Sequence, residues 1–145
     1  MPKIFLSTDF LSRESVIGLH RLCDAFVLPH HGEGWGMPIH DAMMNESFVI
    51  TTKFGGITEY LSDESAFLID HELVPVKPMS WNSWYSSDQK WANPSGEHLG
   101  GLMLDLYKDS DRYKPKLSEA RKVAEGFSVE SCAEKIEALL ARGRP

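Results

Sequence analysis

Glu33 and Asp41 are the side chains best placed to do chemistry in this chain, two carboxylates eight positions apart. Glu33 sits within a glycine-rich stretch, His30-His31-Gly32-Glu33-Gly34-Trp35-Gly36-Met37-Pro38, and Asp41 lies one turn into the segment that follows it. An ionised carboxylate accepts two or more hydrogen bonds, so two of them bordering one pocket suit the recognition of hydroxyl groups. Pro38 falls where a helix begins, because its missing N–H would have had no partner there. That placement leaves the amides of Gly34, Trp35, Gly36 and Met37 free near the positive end of the helix dipole, which attracts phosphate or a sugar hydroxyl. Glycine at 32, 34 and 36 lets the backbone come close to a ligand. Helical side chains lean towards the N-terminus, so Asp41 reaches back to the mouth of the loop while Ile39, Ala42 and Met43 face the core. His30 and His31, beside Glu33 at a strand end, are candidates for a sugar contact or an acid/base.

These residues need elements to hold them. Asp24-Ala25-Phe26-Val27-Leu28 reads as a strand closed by Pro29, Ile39 to Met44 as a helix, and Phe48-Val49-Ile50-Thr51 as a second strand followed by Gly55-Gly56-Ile57-Thr58-Glu59. Strand, glycine loop, helix and strand make one βαβ unit of roughly 30 residues. In a parallel sheet both loops open at the same edge, where ligands bind. Taken singly, Glu33 also reads as a solvated loop residue and Asp41 as a helix-dipole partner. The full context favours a site.

Around this unit, Lys3-Ile4-Phe5-Leu6-Ser7 reads as a buried strand. Ser12, with Ser15 as alternative, reads as the N-cap of a helix carrying Val16, Leu19, His20 and Leu22-Cys23. The strand at 24–28, apolar on both faces, is expected in the middle of a parallel sheet. Glu59-Tyr60-Leu61 continues a short helix, Ala66-Phe67-Leu68-Ile69 is a further strand, and Leu73-Val74-Pro75-Val76 is an edge or connector. Residues 77–95 form a long irregular segment in which Trp81, Trp84, Tyr85 and Trp91 sit among Ser, Asn, Asp and Pro. Its aromatic rings either pin the loop to the domain or stack a base or a sugar. Helical stripes follow at 96–108, 117–127 and 129–140. The expected fold is one α/β domain over residues 1–145, Rossmann-like and three-layered. Its mainly parallel sheet has about four to five strands and its helical part runs from about 96 onwards.

Composition narrows the function classes. The chain has 145 residues and a formal net charge of −6, with 15 Lys plus Arg against 21 Asp plus Glu. That balance argues against nonspecific nucleic-acid or acidic-membrane binding. Cys23 and Cys132, far apart, read as reduced thiols of a cytoplasmic protein. No stretch approaches a membrane span, and Asn45-Glu46-Ser47 reads as a chance match to a glycosylation acceptor. A metal at His30, His31, Glu33, His40 and Asp41 is the weaker reading, since adjacent loop residues point apart and no His-x-x-x-His pair supports them. There is no Gly-x-Ser-x-Gly elbow for a nucleophilic triad. A dinucleotide loop fails because Met37 and Pro38 follow Gly36.

The run Phe26-Val27-Leu28-Pro29, Gly32-Glu33-Gly34-Trp35-Gly36-Met37-Pro38-Ile39-His40-Asp41-Ala42-Met43, Val49-Ile50 and Gly55-Gly56-Ile57-Thr58-Glu59 resembles the donor-binding half of a family 4 retaining glycosyltransferase of GT-B fold. That family shows E-G-[FW]-G-x-P-x-x-E-A-M between two strands, then a Gly-Gly loop. The resemblance covers residues 24–69. It implies a nucleotide-diphosphate sugar as substrate and transfer with retention, with no metal and no cofactor. By position Glu33 is the catalytic candidate that contacts the donor sugar. His31, Gly34, Trp35, Gly36 and Met37 face the sugar and diphosphate, Asp41 binds the ribose, and Gly55, Gly56 and Thr58 lie near the phosphates or sugar.

Two departures stand out. The second acid is Asp41 rather than Glu, one methylene shorter. The turn that usually carries glycine is Asn45-Glu46, where Asn tolerates the left-handed conformation. A GT-B enzyme also has a second Rossmann-like domain that binds the acceptor. This chain is expected to begin at the third strand of the donor domain and to need a separate acceptor-binding domain or partner chain, with self-association as a further expectation. A noncatalytic nucleotide- or sugar-binding module is the rival reading.

Overall fold

The computed structural model describes residues 3–77, 79 and 81–142. The chain is α/β, with three parallel strands between helices and a separate antiparallel ribbon. Helix α1 (Arg13–Leu22) opens at Ser12, whose hydroxyl accepts the Ser15 N–H at 3.2 Å. Strand β1 (Ala25–Leu28) leads through the glycine loop to helix α2 (Met37–Met44), then to β2 (Phe48–Thr52) and β3 (Phe67–Ile69). The sheet order is β1-β2-β3, all parallel, with Val27 opposite Ile50 and Thr51 opposite Leu68.

Side-chain alternation along β2 builds two cores. Val49 joins Ile39, Ala42 and Met43 of α2 and Ala120 and Ala124 of α4 (Lys114–Glu125) on one face. Phe48 and Ile50 join Phe67, Ile69 and Leu106 on the other, under α3 (Gly96–Lys108). Successive residues of a strand point to opposite faces, so a run apolar at every position is what a strand covered on both sides requires. All five residues of β2 are buried.

The expected placement of residues 24–28 mid-sheet is therefore corrected. β2 is the central strand; among the described residues β1 pairs on one side only, and its four residues are half-buried. The expected strand at Lys3–Ser7 is also absent. Ile4, Phe5 and Leu6 are 91, 88 and 88% exposed and lie outside any helix or strand. An apolar run supplies strand propensity, but a strand needs a ladder partner, and none pairs with it among the described residues.

The remaining two strands form their own ribbon. β4 (His71–Pro75) and β5 (Lys90–Pro94) pair antiparallel, with His71 opposite Pro94 and Pro75 opposite Lys90. The sequence assigned all of 77–95 to an irregular segment; Lys90–Pro94 is instead β5 and Ser95 caps α3. Lys-Trp-Ala-Asn-Pro has no alternation to mark it, and its partner lies about twenty residues upstream, so the pairing is fixed by tertiary contact. Pro78 and Ser80 of that segment lie outside the described residues, as do residues 1–2 and 143–145 of the expected domain. Helix α4 starts three residues before the expected 117, with Pro115 in its first turn, and α5 (Val129–Arg142) follows. At the end of α2 the left-handed residue is Glu46, at φ 61°, not the Asn expected to take it. Arg121 holds the Glu46 carboxylate at 2.9 Å.

Candidate functional site

The loop between β1 and α2 folds around one of its own carboxylates. Glu33 Oε1 accepts the N–H of Gly34 at 3.1 Å and of Gly36 at 3.2 Å. Gly36 caps α2 in the left-handed region, φ 72° and ψ 58°, and a Cβ there would meet Ile39 Cδ1 at 2.8 Å. Pro38 falls in the first turn of α2, as its missing donor requires. Two of the four amides expected to be free thus already hold a negative oxygen. The amides of Trp35 and Met37 meet no hydrogen-bond acceptor among the described residues.

The second glycine pair serves this loop from behind. The Gly56 N–H donates to the Glu33 carbonyl at 2.9 Å. A Cβ at Gly55, where φ is 84°, would meet the Glu33 carbonyl oxygen at 2.4 Å, and one at Gly56 would meet the Gly34 carbonyl oxygen at 2.2 Å. Only glycine allows two backbones that close. Thr58 closes the same turn, its hydroxyl donating to the Gly55 carbonyl at 2.8 Å.

Aromatic packing fixes Trp35. Its indole lies 4.7 Å from the Tyr60 ring and 4.8 Å from the Phe127 ring, centroid to centroid. The Tyr60 hydroxyl donates to the Trp35 carbonyl at 2.5 Å. Burial, with the Glu33 charge adding to it, pushes the Tyr60 phenol up to about 12, so it stays a donor. His40 turns away from the loop mouth and donates from Nε2 to the Ala124 carbonyl at 3.1 Å. The glycine loop is thereby pinned to α4 and to the α4–α5 junction.

Asp41 is buried and paired. Both its carboxylate oxygens are held by the Arg13 guanidinium, Oδ1 at 2.7 Å from Nη2 and Oδ2 by Nη1. The hydrogen bond from Arg13 holds the Asp41 carboxyl below its ordinary value, against the opposing effect of burial. Arg13 was not legible as part of the site. It looks like an ordinary first-turn residue of a surface helix, and the packing of α1 on α2 decides its role.

His31 is committed to the ribbon. Its ring stacks on Trp91 at 4.6 Å and 16°, its Nδ1–H donates to the Ala92 carbonyl at 2.5 Å, and its own carbonyl accepts the Ala92 N–H at 2.9 Å. His30 is committed to nothing. It is 9% exposed, and neither ring nitrogen finds a hydrogen-bond partner among the described residues. Burial lowers its pKa, and the charge of Glu33 works the other way. Both ring nitrogens are enclosed, so their hydrogen bonding is unmet inside the fold. Met37 is exposed at the same loop.

The arrangement separates the five groups that a metal would need. His31 faces Trp91, His40 faces Ala124 and Asp41 faces Arg13. No three His, Cys, Asp or Glu side chains gather as metal ligands among the described residues. A cavity of about 420 Å³ lies between His20, Asn45 and Arg121, and one of about 630 Å³ lies beside the free edge of β1. Neither borders Glu33; the loop is an open shelf at the carboxyl edge of the sheet.

Residues 5–75 match the model of the family described as Glycosyl transferases group 1. The chain is also similar to the serotype-specific mannosyltransferase WbdA of Escherichia coli, 29% identical over 70 residues, which is 48% of this chain and 9% of that protein. A further Escherichia coli WbdA matches at the same identity over 48% of this chain and 8% of its own length. The chain spans under a tenth of the length of these curated relatives. Both likenesses support a glycosyltransferase. No helix is long and apolar enough to cross a membrane among the described residues.

Proposed function

We propose that this chain is the donor half of a GT-B glycosyltransferase of the retaining family 4 type, binding a nucleotide-diphosphate sugar at the β1–α2 loop. One observation carries the reading. A carboxylate already sits on the amides of Gly34 and Gly36 at the N-terminus of α2, so this loop holds negative oxygen, and a diphosphate presents the same atom type to the same donors. The donor's phosphates take those amides together with those of Trp35 and Met37. Glu33, released from the nest, accepts a hydroxyl of the donor sugar.

Asp41 keeps room for a ribose hydroxyl even while Arg13 holds it, because an ionised carboxylate has about four lone-pair positions. Arg13 then orients the acid that orients the nucleoside. Catalysis consists of donor positioning and stabilisation of the departing diphosphate by fixed amides and the helix dipole, without a metal. The transferred group is a hexosyl, and mannose is the first candidate because the similar WbdA proteins are mannosyltransferases.

The acceptor side belongs to a further domain or a partner chain. The unpaired edge of β1 and the exposed Val129, Ile136, Leu139 and Leu140 of α5 support that division. A noncatalytic donor-binding module has the same surfaces, and turnover separates the two. The free cysteines Cys23 and Cys132 fit a cytoplasmic location.

Calorimetric titration with UDP, GDP and ADP, each alone and as its sugar conjugate, tests the reading on the wild type and on Glu33→Gln and Asp41→Ala. One nucleotide sugar is expected to bind and to lose ~1–3 kcal/mol in each variant, the usual cost of an unmatched buried polar contact. Absence of binding by every nucleotide sugar, with the fold intact by circular dichroism, would overturn it.

A further inference from the structure

The β4–β5 ribbon carries aromatic surface that neither core uses. Trp81 and Trp84 are 78 and 84% exposed and Tyr85 is 40% exposed. Neither indole stacks on another ring among the described residues, whereas Tyr85 lies 6.3 Å from the Trp91 ring. Two indoles left in water within one short turn is unusual for a group whose burial is so favourable, and it marks a binding surface.

The turn that presents them is built. Met79 and Asn82 form an antiparallel bridge, and the Trp84 N–H donates to Asn82 Oδ1 at 3.0 Å. The Ser86 N–H donates to Gln89 Oε1 at 3.1 Å, and the Val76 N–H donates to the Gln89 carbonyl at 3.0 Å. The base of the ribbon is clipped to the donor loop through the two His31–Ala92 hydrogen bonds and the His31–Trp91 stack. Tyr85, Trp91 and His31 therefore form one line of rings from the tip of the ribbon to within two residues of Glu33.

We propose that this ribbon tip, with Trp81, Trp84 and Tyr85 as its platform, binds a neutral carbohydrate chain at a site of its own, apart from the acceptor side assigned to a further domain or partner chain. The chemistry of the tip selects a neutral sugar chain. A pyranose ring has an apolar C–H face that stacks on an indole and a rim of hydroxyls that seeks amides and hydroxyls. Trp81 and Trp84 are interleaved with Asn82 and Ser83 and followed by Ser86 and Ser87. Between residues 79 and 89 the one charged side chain is Asp88. A nucleic-acid strand or an anionic bilayer would need cations there. The platform does not rest on the glycosyl-transfer reading.

The test is indole fluorescence and calorimetric titration of the full chain with linear mannose, glucose and cellulose-type tetrasaccharides, with no nucleotide present. Saturable quenching by at least one is expected. Trp81→Ala combined with Trp84→Ala should weaken it at least roughly tenfold, while Trp84→Phe, which keeps an aromatic face, retains most of it. Circular dichroism and nucleotide-sugar binding should be unchanged in all variants. No response to any tetrasaccharide, or undiminished binding by the double variant, overturns the platform. So does co-sedimentation with phosphatidylglycerol vesicles in place of sugar binding. Tetrasaccharide binding without any nucleotide-sugar binding would overturn the donor reading and leave the platform standing.

Discussion

Gly34 and Gly56 lie against each other in the same pair of loops, and alanine at each is expected to fail in opposite ways. At Gly56 a methyl would lie 2.2 Å from the Gly34 carbonyl oxygen and 3.1 Å from its carbon. Both are backbone atoms, so the loops must separate. Overpacking of this kind costs about 1–3 kcal/mol. Separation also breaks the 2.9 Å bond from Gly56 N–H to the Glu33 carbonyl, worth about 0.5–1.5 kcal/mol. The sum is ~1.5–4.5 kcal/mol, a large share of the stability of a domain this size. It corresponds to a urea midpoint lower by roughly 1–2 M.

Gly34 is the contrast. A Cβ there meets nothing within 4 Å and no positive φ is involved. Gly34→Ala should leave the midpoint within about 0.5 kcal/mol of wild type. Its methyl would instead stand in the open space before the loop amides, so nucleotide-sugar affinity should fall while the fold holds. Urea denaturation followed by circular dichroism, with calorimetric titration on the same samples, reads both. Gly56→Ala with an unchanged midpoint and lost binding would refute the reasoning, since the glycine would then face ligand rather than loop. An unstable Gly34→Ala would refute it from the other side.

Other expectations follow from single contacts. Gly100 and Gly101 lie inside α3 with nothing within 4 Å of an added Cβ, so alanine at both should stabilise by ~1–2 kcal/mol in denaturation, the helix-propensity difference. Tyr60→Phe removes the hydroxyl that holds the Trp35 carbonyl and should cost about 1 kcal/mol, with a shift in Trp35 emission if the loop loosens as expected. His30 is buried uncharged, its pKa lowered by burial against the pull of Glu33 and alongside His31 and His71. A depressed folded pKa gives stability that is present above the free-imidazole value of about 6.5 and lost as pH falls below it. The denaturation midpoint should therefore drop on acidification from pH ~7.5 in the wild type more than in His30→Phe; equal slopes would reject the buried neutral ring.

Much of this was legible because local rules and global fold agree over residues 24–69. The apolar run of β2, the proline in the first turn of α2 and the glycines just before that proline each had a physical reason that tertiary structure did not override. The contacts within the site were less legible. The types of Glu33, Gly34 and Gly36 said that amides and an acid were present, not that the acid would sit on those amides. The resemblance puts Gly55 and Gly56 near the phosphates or the sugar; it did not say that the carbonyls of Glu33 and of Gly34 would lie against them. Arg13 carries no local mark, since its partner lies 28 residues away. β5 likewise owes its strand to β4 and to His31 rather than to its own sequence.

The misplaced strand at residues 3–7 has a more general cause. Hydrophobic periodicity reports which faces are suited to burial, not whether anything in the same chain covers them. Ile4-Phe5-Leu6, the β1 edge, and the Val129-Ile136-Leu140 stripe of α5 all carry the pattern of covered elements and all stand uncovered. At ~25 cal/mol per Å² of apolar surface, such faces would contribute strongly to any association that buried them. The glycine loop differs in kind. Its open side presents the Glu33 carboxylate on its amides, and burying that group against an apolar partner would cost rather than gain. The same chain thus sorts its exposed surface in two: apolar faces suited to protein and a polar shelf suited to a small ligand. A ligand that brings its own hydrogen-bonding groups is the occupant the shelf can accept without penalty.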